Sequence, residues 1–360
     1  MCTHSEVQHT VAAMDFFTLV MNVVATPTLI TTLFLLLPPI VFFKLLISSF
    51  SFLFPEDLTH KVVIITGASS GIGEHLAYEY AKKGANLVLV AKRERSLTEV
   101  AEQAQVLGAP DVLVVPADVT NYDDCQRVIE AAVNRFGRLD HLVNNAGIGH
   151  ACMFEEVSNV KNFTTVMDVN FWGSVYATYL AVPHLKKTKG KIIVNASAGG
   201  WLPYPRMSLY NASKSAMINF FETLRIEFRN EIGITIATAG WTESEMTKGK
   251  FLAGDGKLVV DQDIRDVQVG LYPVLYSEEC AKAIVDAARR GKRYLTVPTW
   301  FGVLYLWRVF VPEVIDLLFR LLVIARPGTA TPPSKIVMDA IGAKEILYPV
   351  SIREPEIKVD

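Results

Sequence analysis

The chain holds 360 residues, enough for roughly two domains or for one α/β domain with extensions. Its composition, 51% hydrophobic and 20% charged, excludes a disordered or collagen-like chain and argues against a polytopic transporter. The 35 Lys and Arg against 37 Asp and Glu leave a net charge of −2, so no basic excess draws the chain to nucleic acid.

The first predicted element is apolar. Residues 16–54 carry a single charge, Lys44, and exceed the 18 or so apolar residues that mark a membrane candidate. Residues 1–43 contain no Lys or Arg, so the basic start of a cleaved signal peptide is missing. Pro27, Pro38 and Pro39 interrupt the run. Each proline lacks an N–H and restricts the residue before it, so the pair predicts a break at 38–39. That leaves a kinked single span, or a hairpin that dips into the apolar phase and returns. The expected division is an anchor over 1–55, a catalytic domain over 56–298 and a C-terminal extension over 299–360.

From His60 onward, short apolar runs alternate with helical stretches. Strands are predicted at 61–65, 87–91, 112–116, 141–143, 191–195 and 234–238, with helices between them. This alternation predicts an α/β fold, a Rossmann-like doubly wound parallel sheet with helices on both faces. Four scattered cysteines (Cys2, Cys125, Cys152, Cys280) lack the spacing of a metal site or disulfide framework and read as free thiols.

Between the first strand and its helix lies Thr66-Gly67-Ala68-Ser69-Ser70-Gly71-Ile72-Gly73. Glycines there permit a tight turn and a close backbone approach to a pyrophosphate, which the helix N-terminus attracts. Gly67, Ser69, Ser70, Gly71, Ile72 and Gly73 are therefore candidate cofactor contacts. After the second strand, an NAD site would place a carboxylate. Here Lys92 and Arg93 follow instead, which suits the 2′-phosphate of NADP(H) better than NAD(H). Asp118, after the third strand, is a candidate acceptor for the adenine amino group, or else the N-cap of the next helix.

Tyr210 and Lys214 are four apart in a helical stretch, so they share a face. A neighbouring ammonium favours the phenolate and lowers a phenol pKa that is ordinarily near 10. The pair suits an alcohol–ketone exchange. Ser197 follows a strand at the edge where a doubly wound sheet binds its ligand, and its hydroxyl can polarise a carbonyl beside Tyr210.

Thr66-Gly-x-x-x-Gly-x-Gly73, Asn144-Asn145-Ala146-Gly147, Asn170, Ser197 and Tyr210-x-x-x-Lys214 together resemble the short-chain dehydrogenase/reductase family, in order and spacing, over residues 60–290. The resemblance implies Tyr210 as general acid/base and Lys214 as the group that lowers its pKa and holds the nicotinamide ribose. It implies Ser197 as the residue orienting the substrate oxygen, with Ser197 and Tyr210 as substrate contacts. Asn170 would hold a water in a proton relay behind Lys214. Asn145 would brace the central strand, and with Ala146 and Gly147 it would contact the cofactor. No metal is implied. Three positions depart from the pattern. Ala196 precedes Ser197, Ala239-Gly240 replaces a Pro-Gly, and Ser70 stands where NADP-preferring members often carry a basic residue.

With the proline-bearing apolar front, nearly the whole chain is similar to the plant steroleosins, hydroxysteroid dehydrogenase-like oil-body proteins. That similarity implies an NADP-dependent hydroxysteroid oxidoreductase of the 11-beta or 17-beta type. It would lie on a lipid droplet or the endoplasmic reticulum membrane, held by residues 16–54, with its catalytic domain in the cytosol. Two other readings compete with it: a sterol-binding structural droplet protein and a reductase of another lipid carbonyl. A second apolar stretch, 300–324, has its charges after Pro312 on one stripe (Glu313, Asp316, Arg320) and could meet a lipid interface, a greasy pocket or a second copy in a homodimer. Trp201, Leu202, Tyr204, Trp241 and Met246 are candidate pocket walls. The sequons at Asn195 and Asn211 overlap the catalytic stretches and are expected to be buried and silent.

Overall fold

The computed structural model describes residues 13–325 and 331–354. The chain divides into two units, Met1–Pro55 and Glu56–Asp360; Cys2 lies outside the described residues.

The described part of the first unit is helical from Ala13 to Leu53. Its apolar stretch Ala13–Leu46 spans 34 residues, is long and apolar enough to cross a membrane, and buries none of its most apolar window. The expected break at the prolines does not occur. Helix α1 (Thr26–Leu53) runs through Pro38 and Pro39 without interruption. Two consecutive prolines forgo their own hydrogen bonds to the carbonyls of Phe34 and Leu35, but their fixed φ is close to helical. An apolar run also offers the flanking backbone no better partners than the helix itself. The irregularity falls earlier, as a π-helical segment at Met21–Ala25 just before Pro27. There the proline ring crowds the carbonyl of Val23, and a wider turn makes room.

The second unit is built on a parallel sheet. Its strands are β1 (Val62–Thr66), β2 (Asn86–Ala91), β3 (Val112–Pro116), β4 (His141–Asn144), β5 (Lys191–Asn195), β6 (Gly233–Ala239), and, after a small antiparallel pair β7 (Lys250–Leu252) and β8 (Leu258–Val260), β9 (Tyr294–Val297). The seven-stranded sheet has the order β3-β2-β1-β4-β5-β6-β9, and every pairing in it is parallel. Helices α2 (Gly71–Ala81), α3 (Glu94–Val106), α4 (Tyr122–Phe136), α5 (Gly173–Thr188), α6 (Ser208–Glu227) and α7 (Ser277–Arg289) cover it.

Alternation along each strand sorts side chains between two cores. In β1, Val63 and Ile65 pack with Leu76, Leu97 and Ile284 of α2, α3 and α7. Val62 and Ile64 pack with Ile129, Ala181 and Phe221 of α4, α5 and α6. All five residues of β1 are buried, as continuous apolar runs must be in a sheet covered on both faces. The expected doubly wound sheet is therefore the one found. The edge strand β9 and the β7–β8 pair escaped the sequence reading, because Tyr294, Leu258 and Val260 are exposed and the segments are only three or four residues long.

Helices α8 (Phe301–Phe310) and α9 (Pro312–Leu322) follow β9. Phe301, Ile315 and Phe319 turn inward onto Tyr204 and Tyr210, while Leu306, Phe310, Leu317 and Leu321 stay exposed. Residues 331–354 return to the domain. Arg265 donates to the Ile352 carbonyl (2.6 Å), and the Tyr348 hydroxyl donates to that of Gly270 (2.8 Å).

Candidate active site

The strand order reverses between β1 and β4, and the site lies at their C-terminal edge, where a doubly wound sheet opens a crevice. The turn after β1 needs glycine twice. Gly67 has φ +66°, and a Cβ there would lie 2.8 Å from the Ala146 Cα. A Cβ on Gly73 would lie 2.1 Å from the Gly67 carbonyl oxygen, so only a bare backbone lets α2 start against the turn. Ser70 is the N-cap of α2, but its side chain does not bond the helix N–H groups. Instead Ser70 and Ser69 accept hydrogen bonds from Arg93, at 2.8 and 3.0 Å. The first-turn N–H groups of α2 thus lack a side-chain cap and face the crevice mouth.

Arg93 also forms an ion pair with Glu245. Lys92 pairs with Asp118 at 2.7 Å. Burial opposes the charge on Asp118, but Lys92 and Thr120 outweigh it and hold the carboxyl below its ordinary range. Asp118 does not cap α4. Asn121 does, accepting from the N–H groups of Asp123 (2.9 Å) and Asp124 (3.3 Å).

Asn145 joins three segments. Its amide donates to the Thr66 carbonyl (2.9 Å) and that of Gly67 (3.2 Å), and its side-chain oxygen accepts from Asn195 (2.8 Å). Ala146 N–H donates to the Thr66 hydroxyl at 3.1 Å. Beside it, a Cβ on Gly147 would lie 3.2 Å from Asn170 Oδ1 and 3.5 Å from Lys214 Nζ. Asn170 sits on a π-helical turn, Asp168–Trp172, a local widening that often accompanies functional residues. Its oxygen accepts from Ile148 N–H (2.8 Å), and its amide donates to the Ile148 carbonyl (3.0 Å) and to Ser213 (2.9 Å).

Helix α6 brings Tyr210 and Lys214 together. Lys214 Nζ lies 5.8 Å from the Tyr210 ring centre and donates to the Asn195 carbonyl at 3.0 Å. Burial pulls the Lys214 ammonium down to about 8. Burial also raises the Tyr210 phenol above its ordinary value, and a hydrogen bond with Ser197 works against that rise. The sequence expectation had the ammonium lowering the phenol; here desolvation is the larger effect. Ser197, two residues past β5, accepts from Gly199 N–H at 3.0 Å.

A residue that the spacing did not single out supports Tyr210. His150 is buried, and its Nδ1 accepts the Tyr210 backbone N–H at 3.2 Å, so the ring capping the first turn of α6 is neutral with its proton on Nε2. Burial holds its imidazole down at about 4.

One cavity of about 500 Å³ runs from Lys92 and Arg93, past the glycine turn, to Ser197, Tyr210 and Phe301. Leu202, Tyr204, Trp241 and Met246 line it as expected, and Met207 and Phe301 join them. Trp201 packs against Tyr305 instead, with ring centres 5.2 Å apart. Phe301 comes from far along the chain, and no local spacing pointed to it. Asn195 is buried as expected, whereas Asn211 is only half-buried, its amide donating to the Tyr204 carbonyl (3.0 Å).

The donor set fits a nicotinamide dinucleotide. Bare glycine backbone and uncapped helix N–H groups lie where a pyrophosphate is held, basic side chains lie beyond β2, and a buried Tyr–Lys pair closes the far end. Among the described residues no cluster of His, Cys, Asp or Glu could hold a metal ion. Cys125, Cys152 and Cys280 are buried free thiols.

Residues 61–253 match the family model of the short chain dehydrogenases. The chain is 52% identical over 349 residues to a protein of Sesamum indicum named 11-beta-hydroxysteroid dehydrogenase A, covering 96% of this chain and all of that one. It is 53% identical over 326 residues to 11-beta-hydroxysteroid dehydrogenase 1A of Arabidopsis thaliana, covering 90% and 93%. Among solved structures, a short chain dehydrogenase/reductase from Burkholderia phymatum in complex with NAD aligns with a TM-score of 0.62 at 26% identity, over 73% of this chain and 96% of that one. An alcohol dehydrogenase from Thermococcus sibiricus complexed with 5-hydroxy-NADP aligns with a TM-score of 0.55 at 26% identity, over 66% and 95%. The doubly wound sheet, the glycine turn and the Tyr–Lys helix are thus this chain's version of a shared design, and the chain belongs to the short-chain dehydrogenase family.

Proposed function

We propose that this chain is an NADP(H)-dependent oxidoreductase that interconverts a hydroxysteroid and its ketosteroid, of the 11-beta or 17-beta type, at a lipid surface. The observation that carries the reading is the single cavity with Arg93, Ser69 and Ser70 at one end and Ser197, Tyr210 and Lys214 at the other. Its inner walls are apolar: Leu202, Tyr204, Met207, Trp241 and Phe301 suit a rigid apolar substrate. The relatives named 11-beta-hydroxysteroid dehydrogenase support the steroid class.

Hydride exchange is the chemistry that the nicotinamide dinucleotide supplies when bound. The glycine turn, Asn145 and Gly147 would hold it, with Lys92 and Arg93 at the ribose phosphate. Tyr210 gives a proton to the substrate oxygen or takes one from it, and Ser197 orients that oxygen. Lys214, linked to the Asn195 carbonyl, biases the phenol by its charge. Asn170 keeps the backbone of Ile148 and the hydroxyl of Ser213 fixed behind that pair. Burial of the site excludes water, which strengthens these interactions.

Attachment to an oil-body or endoplasmic reticulum surface rests on the apolar stretch Ala13–Leu46 and is supported by the exposed Leu306, Phe310 and Leu321 of α8 and α9. The catalytic domain then works in the cytosol. Purified full-length protein in detergent is expected to turn over a steroid panel faster with NADPH than with NADH, and removal of residues 1–55 is expected to release it from membranes. Sterol binding without turnover would overturn the enzymatic reading in favour of a structural sterol-binding protein. Turnover confined to non-steroid lipid carbonyls would overturn the substrate class.

A further inference from the structure

Residues 243–250, after β6, cross the cofactor end of the cavity. Ser244 comes so near the glycine turn that a Cβ on Gly71 would lie 3.4 Å from its Cα, and a Cβ on Gly149 would lie 2.7 Å from the Met246 methyl. Between these two contacts, Glu245 reaches Arg93 with one carboxylate oxygen and Lys250 with the other, the latter at 3.0 Å. The Arg93 side chain is 12% exposed and that of Glu245 21%, so the pair is largely shielded from solvent. A carboxylate and a phosphate are both anions that seek the same fork of guanidinium N–H groups, and like charges so close repel.

We propose that Glu245 is a cofactor-specificity residue: it competes with the ribose 2′-phosphate for Arg93, lowers affinity for phosphorylated relative to unphosphorylated nucleotide, and so ties that phosphate to the placing of residues 243–250. This rests on the reading of Arg93 as a ribose-facing residue. Lys250 makes the exchange feasible, because a displaced Glu245 keeps a cation and is not left as an unpaired charge. Ser69 and Ser70, now accepting from Arg93, can turn their hydroxyls toward an incoming phosphate.

Calorimetric titration of the full-length protein in detergent with 2′,5′-ADP and 5′-AMP, then with NADPH and NADH, tests this. Glu245→Gln keeps the shape and removes the charge. It is expected to tighten 2′,5′-ADP and NADPH by about five- to tenfold, in the range of a partly shielded charge pair, and to leave 5′-AMP and NADH within about twofold. Glu245→Asp, which retracts the charge, is expected to give a smaller gain. With Arg93→Gln present, the Glu245→Gln gain should vanish. An unchanged ratio of 2′,5′-ADP to 5′-AMP affinity in Glu245→Gln and Glu245→Asp, or a gain that survives Arg93→Gln, overturns the proposal while leaving the dinucleotide reading intact. Failure of the wild-type chain to bind any of the four nucleotides overturns both.

Discussion

His150 makes this domain acid-sensitive at helix α6, which carries Tyr210 and Lys214. Its Nδ1 must be unprotonated to accept the Tyr210 N–H, and burial holds the imidazole at about 4 against an ordinary 6.5. The unfolded chain therefore binds a proton at this residue between pH 6.5 and 4 while the folded chain does not, so stability falls as pH drops through that window. Integrated from neutral pH to pH 5, the loss at this one group is about 2 kcal/mol, approaching about 3 kcal/mol near pH 4. In a domain of this size that corresponds to roughly 4 °C in melting temperature at pH 5. His141, also buried and lowered first by desolvation, acts in the same direction, so wild-type acid lability alone is not diagnostic. The assay is circular-dichroism melting of wild type and His150→Gln at half-unit steps from pH 7 to 4.5. The variant has a lower melting temperature at pH 7, because a cap and a packed ring are lost, but a shallower slope toward acid. Parallel slopes in the two proteins would refute the assignment of the window to His150.

Tyr210→Phe removes the proposed acid/base hydroxyl and little else; turnover is expected to fall by about a thousandfold with an unchanged melting temperature, and residual activity within tenfold of wild type would exclude Tyr210 as the acid/base. Gly73→Ala puts a methyl 2.1 Å from the Gly67 carbonyl oxygen, so the glycine turn must shift. A loss of about 3 kcal/mol in denaturant unfolding, together with loss of nucleotide binding, is expected, and a wild-type titration would contradict the geometry. Lys214→Met removes a buried ammonium whose pKa burial lowers to about 8. The folded state resists that proton between pH 8 and 10.5, so wild-type Lys214 costs stability below pH 8 and the cost fades as pH rises to 10.5. After allowing for the bond lost at the Asn195 carbonyl, the variant is expected to be about 1 kcal/mol more stable than wild type at pH 6, with that gain gone by pH 10.5 and turnover abolished. A variant that is less stable at pH 6 than at pH 10 relative to wild type would reverse the sign and refute it.

What could be read before folding was whatever depends on spacing. The short apolar run of β1, the strand–glycine–helix order at Gly67–Gly71–Gly73 and the four-residue interval from Tyr210 to Lys214 are local, and each survives in three dimensions. What could not be read depends on neighbours distant in sequence. Phe301 reaches the cavity from beyond β9, His150 caps a helix sixty residues away, and Glu245 meets Arg93 from another loop. Pro38 and Pro39 depart from expectation for a related reason, since a local rule about broken hydrogen bonds omits that the apolar side chains around them offer the backbone no alternative to the helix.

The Tyr–Lys pair shows where spacing stops being enough even when it finds the right residues. Four residues on one helix face say that a phenol and an ammonium are neighbours, and from that the phenol should acidify. The structure adds that both groups are buried and that the ammonium lies 5.8 Å from the ring centre, partnered by the Asn195 carbonyl. Desolvation then acts on both in opposite senses, raising the phenol and lowering the ammonium, so that each is moved toward its neutral form. Ser197, through its hydrogen bond, opposes the rise at Tyr210. Removal of that hydroxyl should therefore push the phenol further up and move the alkaline limb of the rate profile to higher pH. Ser197→Ala and wild type compared from pH 8 to 12 with a fixed substrate check it, and a limb that stays put or moves down would mean that the Ser197 hydroxyl does not hold the phenol down.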